Sequence, residues 1–471
     1  MTTSLTNAPA PGSGGGAGAG AGAGTGVEAE AGTAGGRPVP VARIVRFELL
    51  KQFSAWRVRL LIGLCWLGPG LLVFAIDQQS TLPSDTLFGR WMHATGWAGP
   101  LVVLGVAGTW ALPLLTSLVA GDVFASEDRL GTWRHLLIAV RSHRRVFAAK
   151  AVAGLTVIGL LMAGLAVSSI VGGLLAEGNR PLVGLDGHLI TGPDAAGDTL
   201  LAWACVVAPT LALAAIGLLG SIALGRSPMG LVLPMVAALA MQLAQLLPLP
   251  VAVRLALPGY AFLSWNGLFA DPRQLGPLLI AVGVSTGWAI AATALAYRLF
   301  LRRDFTNLNN DGAGRRGLTW GVLPLAGLLA ATVGVLTVAT GASGSGITQD
   351  KVQRSVATAF AHLYRFQQAQ LRQPPVTEAQ LQTSASCDKS EGLDAQQGSG
   401  NDWRCTVSWT VPGYNATAQA VYQLNVTANG RYTADGDGPV QVNGYFLIVS
   451  AGKAAPNPLW QFDGDVDLLA G

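Results

Sequence analysis

Gly121-Asp-Val-Phe-Ala-Ser-Glu-Asp-Arg-Leu-Gly-Thr-Trp-Arg-His-Leu-Leu-Ile-Ala-Val-Arg-Ser-His-Arg-Arg-Val-Phe-Ala-Ala-Lys150 is a polar, mostly basic stretch held between two runs apolar enough to cross a bilayer. Thr132 is placed to cap a short helix through its hydroxyl, and Trp133, Leu136, Leu137 and Val140 then fall at helical spacing on one side. That side is apolar, and no domain surrounds it in the sequence. A helix of about two turns is unstable alone in water, so the apolar side needs a cover. From the residues alone two covers are open, the bilayer surface and another protein.

Outward from this stretch the chain is a membrane protein by composition. Of its 471 residues 51% are hydrophobic and only 12% charged, too apolar a balance for an ordinary soluble protein. A helix needs about 20 apolar residues to cross the hydrocarbon. Seven runs come near or pass that length, at about 58–76, 97–120, 151–176, 199–225, 230–253, 275–299 and 318–341. The fourth and fifth are joined by Arg226-Ser-Pro-Met-Gly230, a tight hairpin. The span interiors lack Asp, Glu, Lys and Arg, which argues against a proton-relay pump. The net charge of +4 does not indicate a nucleic-acid partner, because the basic residues cluster at the ends of the apolar runs.

Those basic residues set an orientation. The segment before the first span, the 121–150 loop, and Arg298, Arg302, Arg303, Arg315 and Arg316 are strongly basic, whereas 77–96 and 177–198 are not. The first set is expected in the cytoplasm, together with the N-terminus, and seven spans then put the C-terminal region outside. Residues 1–37, rich in Gly and Ala, are expected to be a disordered cytoplasmic tail and show no signal-peptide pattern. Within 38–57, Val41, Ile44, Val45, Leu49, Phe53 and Trp56 form the apolar stripe of an amphipathic interfacial helix. Residues 58–341 make the membrane domain.

Gly341-Ala-Ser-Gly-Ser-Gly346 is expected to be a flexible joint to a small external α+β domain, 342–471. Val352, Val356, Phe360, Leu363 and Phe366 mark one face of a helix ending before Pro374-Pro375. Beyond Cys405 the period changes to two, with Val407, Trp409 and Val411, then Ala418, Ala420, Tyr422, Leu424 and Val426, and a meander continues through Val440–Val449. Cys387 and Cys405 lack zinc-site spacing, and an oxidising exterior would allow them to pair. Asn415-Ala-Thr and Asn425-Val-Thr match glycosylation acceptors but read as ordinary strand residues.

The order of residues in 121–150 resembles the first cytoplasmic loop of ABC-2 type permeases, the membrane subunits of one class of ATP-binding-cassette transporter. In that family an acidic residue precedes Gly-Thr, a short coupling helix follows, and a basic segment with a Lys opens the next membrane helix. Glu127, Gly131, Thr132, the helix from Trp133 to Val140, and Lys150 occupy those places. One departure is visible: many members end the helix at a Pro, and Ala139–Arg145 has none. The resemblance covers residues 41–303 by order of elements, with an elbow helix before the first span, and extends loosely to Leu255–Ala270, where members carry short external helices. Gln242 and Gln245, the most polar membrane positions, keep two readings: lining a substrate route at a dimer axis, as that helix does in the family, or hydrogen bonding between helices.

The resemblance implies a non-catalytic subunit of an ATP-driven exporter in a bacterial plasma membrane, paired with a second permease subunit and docked by the 121–150 loop on a separate ATPase that holds ATP and magnesium. This agrees with the absence of a Gly-x-x-x-x-Gly-Lys-Ser/Thr phosphate loop or a His-Glu-x-x-His zinc motif in the chain. Gly283-Val-Ser-Thr-Gly287 matches a hydrolase elbow only superficially, lacking the expected strand-turn-helix setting and a His base. The seventh span and the external domain are additions to the usual six-span pattern. The rival reading is a non-transporting membrane anchor presenting the external domain as a receptor or assembly factor.

Overall fold

The computed structural model describes residues 39–79, 82–83, 86–224, 229–303, 314–340, 344–389, 396–414, 416–450 and 452–469. The expected tail 1–37, most of the Arg226–Gly230 hairpin, the first half of the Gly341–Gly346 joint and Asn415 lie outside them. The apolar stripe after the tail folds as helix α1, Val41–Ser54, with Ile44 buried and Val45, Leu49 and Phe53 packed against the core. Its stripe also carries an unexpected carboxylate, Glu48, which is 2% exposed.

Among the described residues six helices are long and apolar enough to cross a membrane by length and composition: α2 (Trp56–Asp77), α3 (Ala98–Leu130), α5 (His143–Glu177), α6 (Gly192–Ala223), α10 (Leu275–Leu301) and the Val322–Thr340 part of α11 (Gly314–Thr340). Two boundaries differ from the sequence reading. Helix α3 runs on to Leu130 and α5 starts at His143, so the 30-residue loop of the reading shrinks to a tight connection around α4 (Trp133–Val140). At 1.5 Å per residue the 33 residues of α3 reach about 50 Å, well beyond a hydrocarbon core of about 30 Å.

The fifth apolar run, 230–253, is not one helix. It forms the 16-residue α7 (Met229–Ala244) and a short helix α8 (Val251–Leu255), because Pro248 and Pro250 lack amide donors and push the residues before them away from helical dihedrals. Helix α7 still carries the chain back across the bundle. Helix α6 ends near α3, where the Ser221 hydroxyl accepts from Ala125 N at 2.9 Å, while the end of α7 abuts Gly259 of α9 (Pro258–Ala261). Among the described residues α1 and α4 stand at one end of this bundle and the C-terminal domain at the other.

In that domain α12 (Gln349–Gln370) lies across a five-stranded antiparallel sheet, order β3-β4-β5-β6-β9. The strands are β3 (Ser384–Lys389), β4 (Gly400–Thr410), β5 (Thr417–Val426), β6 (Arg431–Gly436) and β9 (Gln461–Asp465); β1 (Leu182–Val183) and β2 (Leu189–Ile190) form a separate hairpin between α5 and α6. Val352, Val356, Phe360 and Leu363 of α12 meet Val407, Ala420, Tyr422, Leu424 and Val426 of the sheet, as the two periods require. Cys387 and Cys405 sit directly opposite each other on β3 and β4 and are joined by a disulfide. The expected meander through Val440–Val449 is replaced by a helical turn, Val440–Asn443, and a separate hairpin, β7 (Leu447–Ser450) with β8 (Lys453–Pro456). Pro439 opens that turn and Gly444, at φ 77°, ends it, so β9 takes the sheet edge instead.

The joint is not a hinge where it is described. Val251 N donates to Gly344 O at 3.0 Å, and Ile347 is fully buried. The core of the C-terminal domain runs without a break into Val183 of β1, Val251 and Leu255 of α8, and Tyr260 of α9, in the connections between the long helices. Polar contacts reinforce it: Arg90 bonds Gln461 O and pairs with Asp463, and Arg254, 1% exposed, donates to Ala428 O.

A further contact is titratable. Asp186, between β1 and β2, accepts from His188, from Asp271 N at 2.8 Å, and faces His362 of α12 at 3.3 Å; Glu378 stands 3.4 Å from the other ring nitrogen of His362 and is itself held by Arg365. Burial works to raise the Asp186 carboxyl, but the hydrogen bonds from His188 and His362 outweigh it and hold the group well below the usual carboxylate range. Burial works to lower His362, but its bond to Asp186 and the charges of Asp186 and Glu378 outweigh that and raise it. Raised His362 contributes stability that is full below its ordinary 6.5 and lost as pH climbs through the higher folded value; lowered Asp186 contributes above its ordinary 3.8. Amide exchange of residues 184–188, corrected for its intrinsic pH dependence, should therefore be slowest between those two values and quicken above the upper one, and His362→Gln should flatten the profile.

Candidate functional site

The end of the bundle that carries α4 is built from the quoted stretch. Gly131 ends α3 at φ 65°, a conformation that favours glycine, and Thr132 N reaches back to Glu127 O at 3.2 Å. The expected Thr132 cap does not form. Its hydroxyl instead donates to the Glu127 carboxylate and accepts from no amide at the helix start. Arg141 ends α4 at φ 55°, its amide donating to Leu137 O at 2.9 Å, so a left-handed residue does the work of the missing proline. Ser142 then caps α5 by accepting from Arg145 N at 3.5 Å.

The apolar side of α4 is covered from within, which corrects the expectation that bilayer or partner must cover it. Trp133 and Val140 are buried, and Leu136 and Leu137 pack half-buried on the core. Trp133 lies 5.9 Å from Phe124 and 5.5 Å from Phe300, ring centre to ring centre, with Phe147 completing the cluster 5.7 Å from each of those two phenylalanines. Phe300 arrives from the end of α10, so the short helix is fastened to α3, α5 and α10 at once. What α4 presents outward is Arg134, His135 and Ile138, the last 65% exposed.

Beneath the aromatic cluster lies a buried ion network. Lys150 Nζ, 1% exposed, stands 2.8 Å from Glu127 and 3.0 Å from Glu48, and Lys51 closes the set by bonding Glu127. Beside it Asp128 receives both guanidinium nitrogens of Arg303, at 2.6 and 3.1 Å, and the Trp133 indole at 2.7 Å. Glu127, Gly131, Thr132, Trp133, Leu136, Leu137, Val140 and Lys150 are thus brought together. The reading missed Glu48, Lys51, Asp128, Phe300 and Arg303. Glu48 had a signal: a carboxylate four residues after Ile44, inside the apolar stripe of α1.

At the opposite end, α3 and α7 wall a chamber of about 650 Å³. Val102, Val106 and Trp110 of α3 face Gln242 of α7 and Gln245 just beyond its end, and strand ends and loops of the C-terminal domain form the roof. Both glutamines are 4% exposed, and Gln242 Nε2 and both polar atoms of Gln245 have no hydrogen-bond partner. The interhelical hydrogen bonds expected as one of their roles are therefore not made by those atoms. A π turn, Ala107–Ala111, interrupts α3 along this wall. The serine of Gly283–Gly287 lies inside α10, not on a strand-turn-helix elbow, and the disulfide stands in the sheet and lines neither the α4 site nor the chamber.

Removing Lys150 should leave Glu48 and Glu127 buried together, a loss of about 3–5 kcal/mol for a broken buried pair. Lys150→Met is expected to lower the melting temperature in detergent sharply, and adding Glu127→Gln to recover much of it. No family model, no curated protein and no solved structure matches this chain, so its function is argued from these two ends alone.

Proposed function

We propose that the chain is the membrane subunit of an ATP-driven exporter, receiving motion from a separate ATPase through α4 and passing it to the chamber. One observation carries this reading: a single 33-residue helix, α3, holds the anchor of α4 at one end and the chamber wall at the other. A load applied to Arg134, His135 and Ile138 meets a short helix that cannot slide on its support, because Trp133 and the ion network lock it to α1, α3, α5 and α10. Such a load moves the helices as a body. The chain has no phosphate-loop motif, so ATP and magnesium belong to the partner, and the α4 end faces the cytoplasm of a bacterial plasma membrane. A second permease subunit completes the pathway, and Gln242 and Gln245 line it.

The rival reading, a non-transporting anchor for the C-terminal domain, is favoured by the exposed Tyr445, Phe446, Leu447 and Val449 around the β7–β8 hairpin, an apolar surface available to an external partner. The two readings part at α4. Leu136 and Leu137 support the core, so substitutions there confound folding with docking; Ile138 and Arg134 do not. Arg134→Glu with Ile138→Asp should leave the melting temperature unchanged, while abolishing co-purification of an ATPase from the native membrane and the ATP hydrolysis that accompanies it. If the unaltered chain brings down no ATPase, or the double variant brings down as much, the exporter reading fails.

A further inference from the structure

We propose that the chamber is a binding site for an amphiphile with an uncharged, hydroxyl-rich head, a neutral glycolipid being the simplest example, and that the C-terminal domain supplies half of that site. This names a cargo class for the transport reading and rests on that reading for transport, though not for binding.

The two halves of the lining differ in chemistry. The membrane half is apolar, from Leu87, Val102, Val106 and Leu246 among others, apart from Thr86, Thr109 and the two glutamines. The roof is amide and hydroxyl, from Ser399, Asn401, Asn425, Thr427 and Asn429. Amides and hydroxyls donate and accept at once, as sugar hydroxyls do, so a polyol can satisfy several of them together. No carboxylate lines the chamber among the described residues, which leaves nothing to select a cationic head. Its one cation, Arg431, stands 3.3 Å from Asp463, which offsets its charge and disfavours selection for an anionic head.

The unpartnered atoms of Gln242 and Gln245 point to the same answer. A buried amide without a partner costs stability, so these side chains are retained at a cost that a hydrogen-bonding ligand would remove. The rim explains the tail. Val106, Trp110 and Leu246 are 53%, 44% and 69% exposed, so the chamber meets the apolar flank of α3 and α7, where an acyl chain can lie while its head is held under the roof. A volume of about 650 Å³ suits a head of one or two sugar rings and the start of the chains. Asn425, which matches a glycosylation acceptor but reads in the sequence as an ordinary strand residue, is here a roof residue.

The full chain in phosphatidylcholine nanodiscs, doped equally with a monoglucosyl diacylglycerol and a phosphatidylglycerol of the same chains, is transferred to detergent, and retained lipid is measured by mass spectrometry. The glucolipid should be retained over both phospholipids, and free glucose should not displace it. Gln242→Leu with Gln245→Leu, and separately Asn425→Val, should each weaken that retention about tenfold, the loss of one or two hydrogen bonds. The leucine pair removes unpaired polar atoms, so its melting temperature should hold or rise. Equal retention of all three lipids, preference for the anionic one, displacement by glucose, or unchanged retention in both variants overturns the assignment. No ATPase enters this measurement, so glucolipid binding without ATPase capture would sink only the exporter reading, and capture without glucolipid binding only this one.

Discussion

A lysine ammonium buried between two carboxylates fixes where three helices meet. Lys150 of α5 cannot leave Glu48 of α1 and Glu127 of α3 without stranding charge in a place water does not reach, so the elbow helix and the first two long helices that flank α4 are held in one register. The attraction itself contributes little beyond the cost of desolvating the ions; its consequence is geometric. It makes the position of α1 depend on that of α3, and the Arg303–Asp128 pair extends the dependence to α10. Above it, the Phe124, Phe147, Phe300 and Trp133 rings fill the space that the shortened connection would otherwise leave open.

From that anchorage the mechanical properties of the membrane part follow. Helix α3 is longer than a hydrocarbon core needs, and its last turns, at the α4 end, are held by ions and rings. At its other end the helix wall contains a π turn, whose wider loop of hydrogen bonds is the weakest place along an otherwise regular rod. Under the exporter reading, displacement imposed at the firm end would be expressed at the chamber, beside which Gly108 leaves room for the carbonyl of Phe262 to approach. By contrast α2 and the Val322–Thr340 segment are exposed on most of their surface.

Much of this was legible in the chain. Period 3.6 located α1, α4 and α12, and period two located β4 and β5, because each of those elements buries one face and leaves the other outward. The disulfide was legible for a different reason: two cysteines isolated in an otherwise polar region have no competing chemistry. Three things were not legible. The cover for α4 comes from Phe300, far along the chain, and no local pattern announces which aromatic will arrive from a distant helix. Whether the Thr132 hydroxyl accepts from the helix amides or donates to a carboxylate depends on the position of Glu127, which tertiary packing sets. The run 230–253 is apolar throughout, so hydropathy alone passes over Pro248 and Pro250, whose missing amides divide it.

The least legible feature is the union of the C-terminal domain with the bundle, and it changes what that domain is for. A glycine-rich joint suggests a domain on a tether, but Ile347, Val352 and Leu363 share a core with Val251 and Leu255, and Arg254, Arg90 and His362 add polar contacts across the same boundary. A tethered domain adds affinity for something elsewhere; a domain fused over the chamber sets its shape. Under the exporter reading, cargo leaving upward must break that shared core, whereas cargo leaving sideways passes only Val106, Trp110 and Leu246. The sideways route asks far less of the fold, and only a molecule with an apolar part gains by taking it.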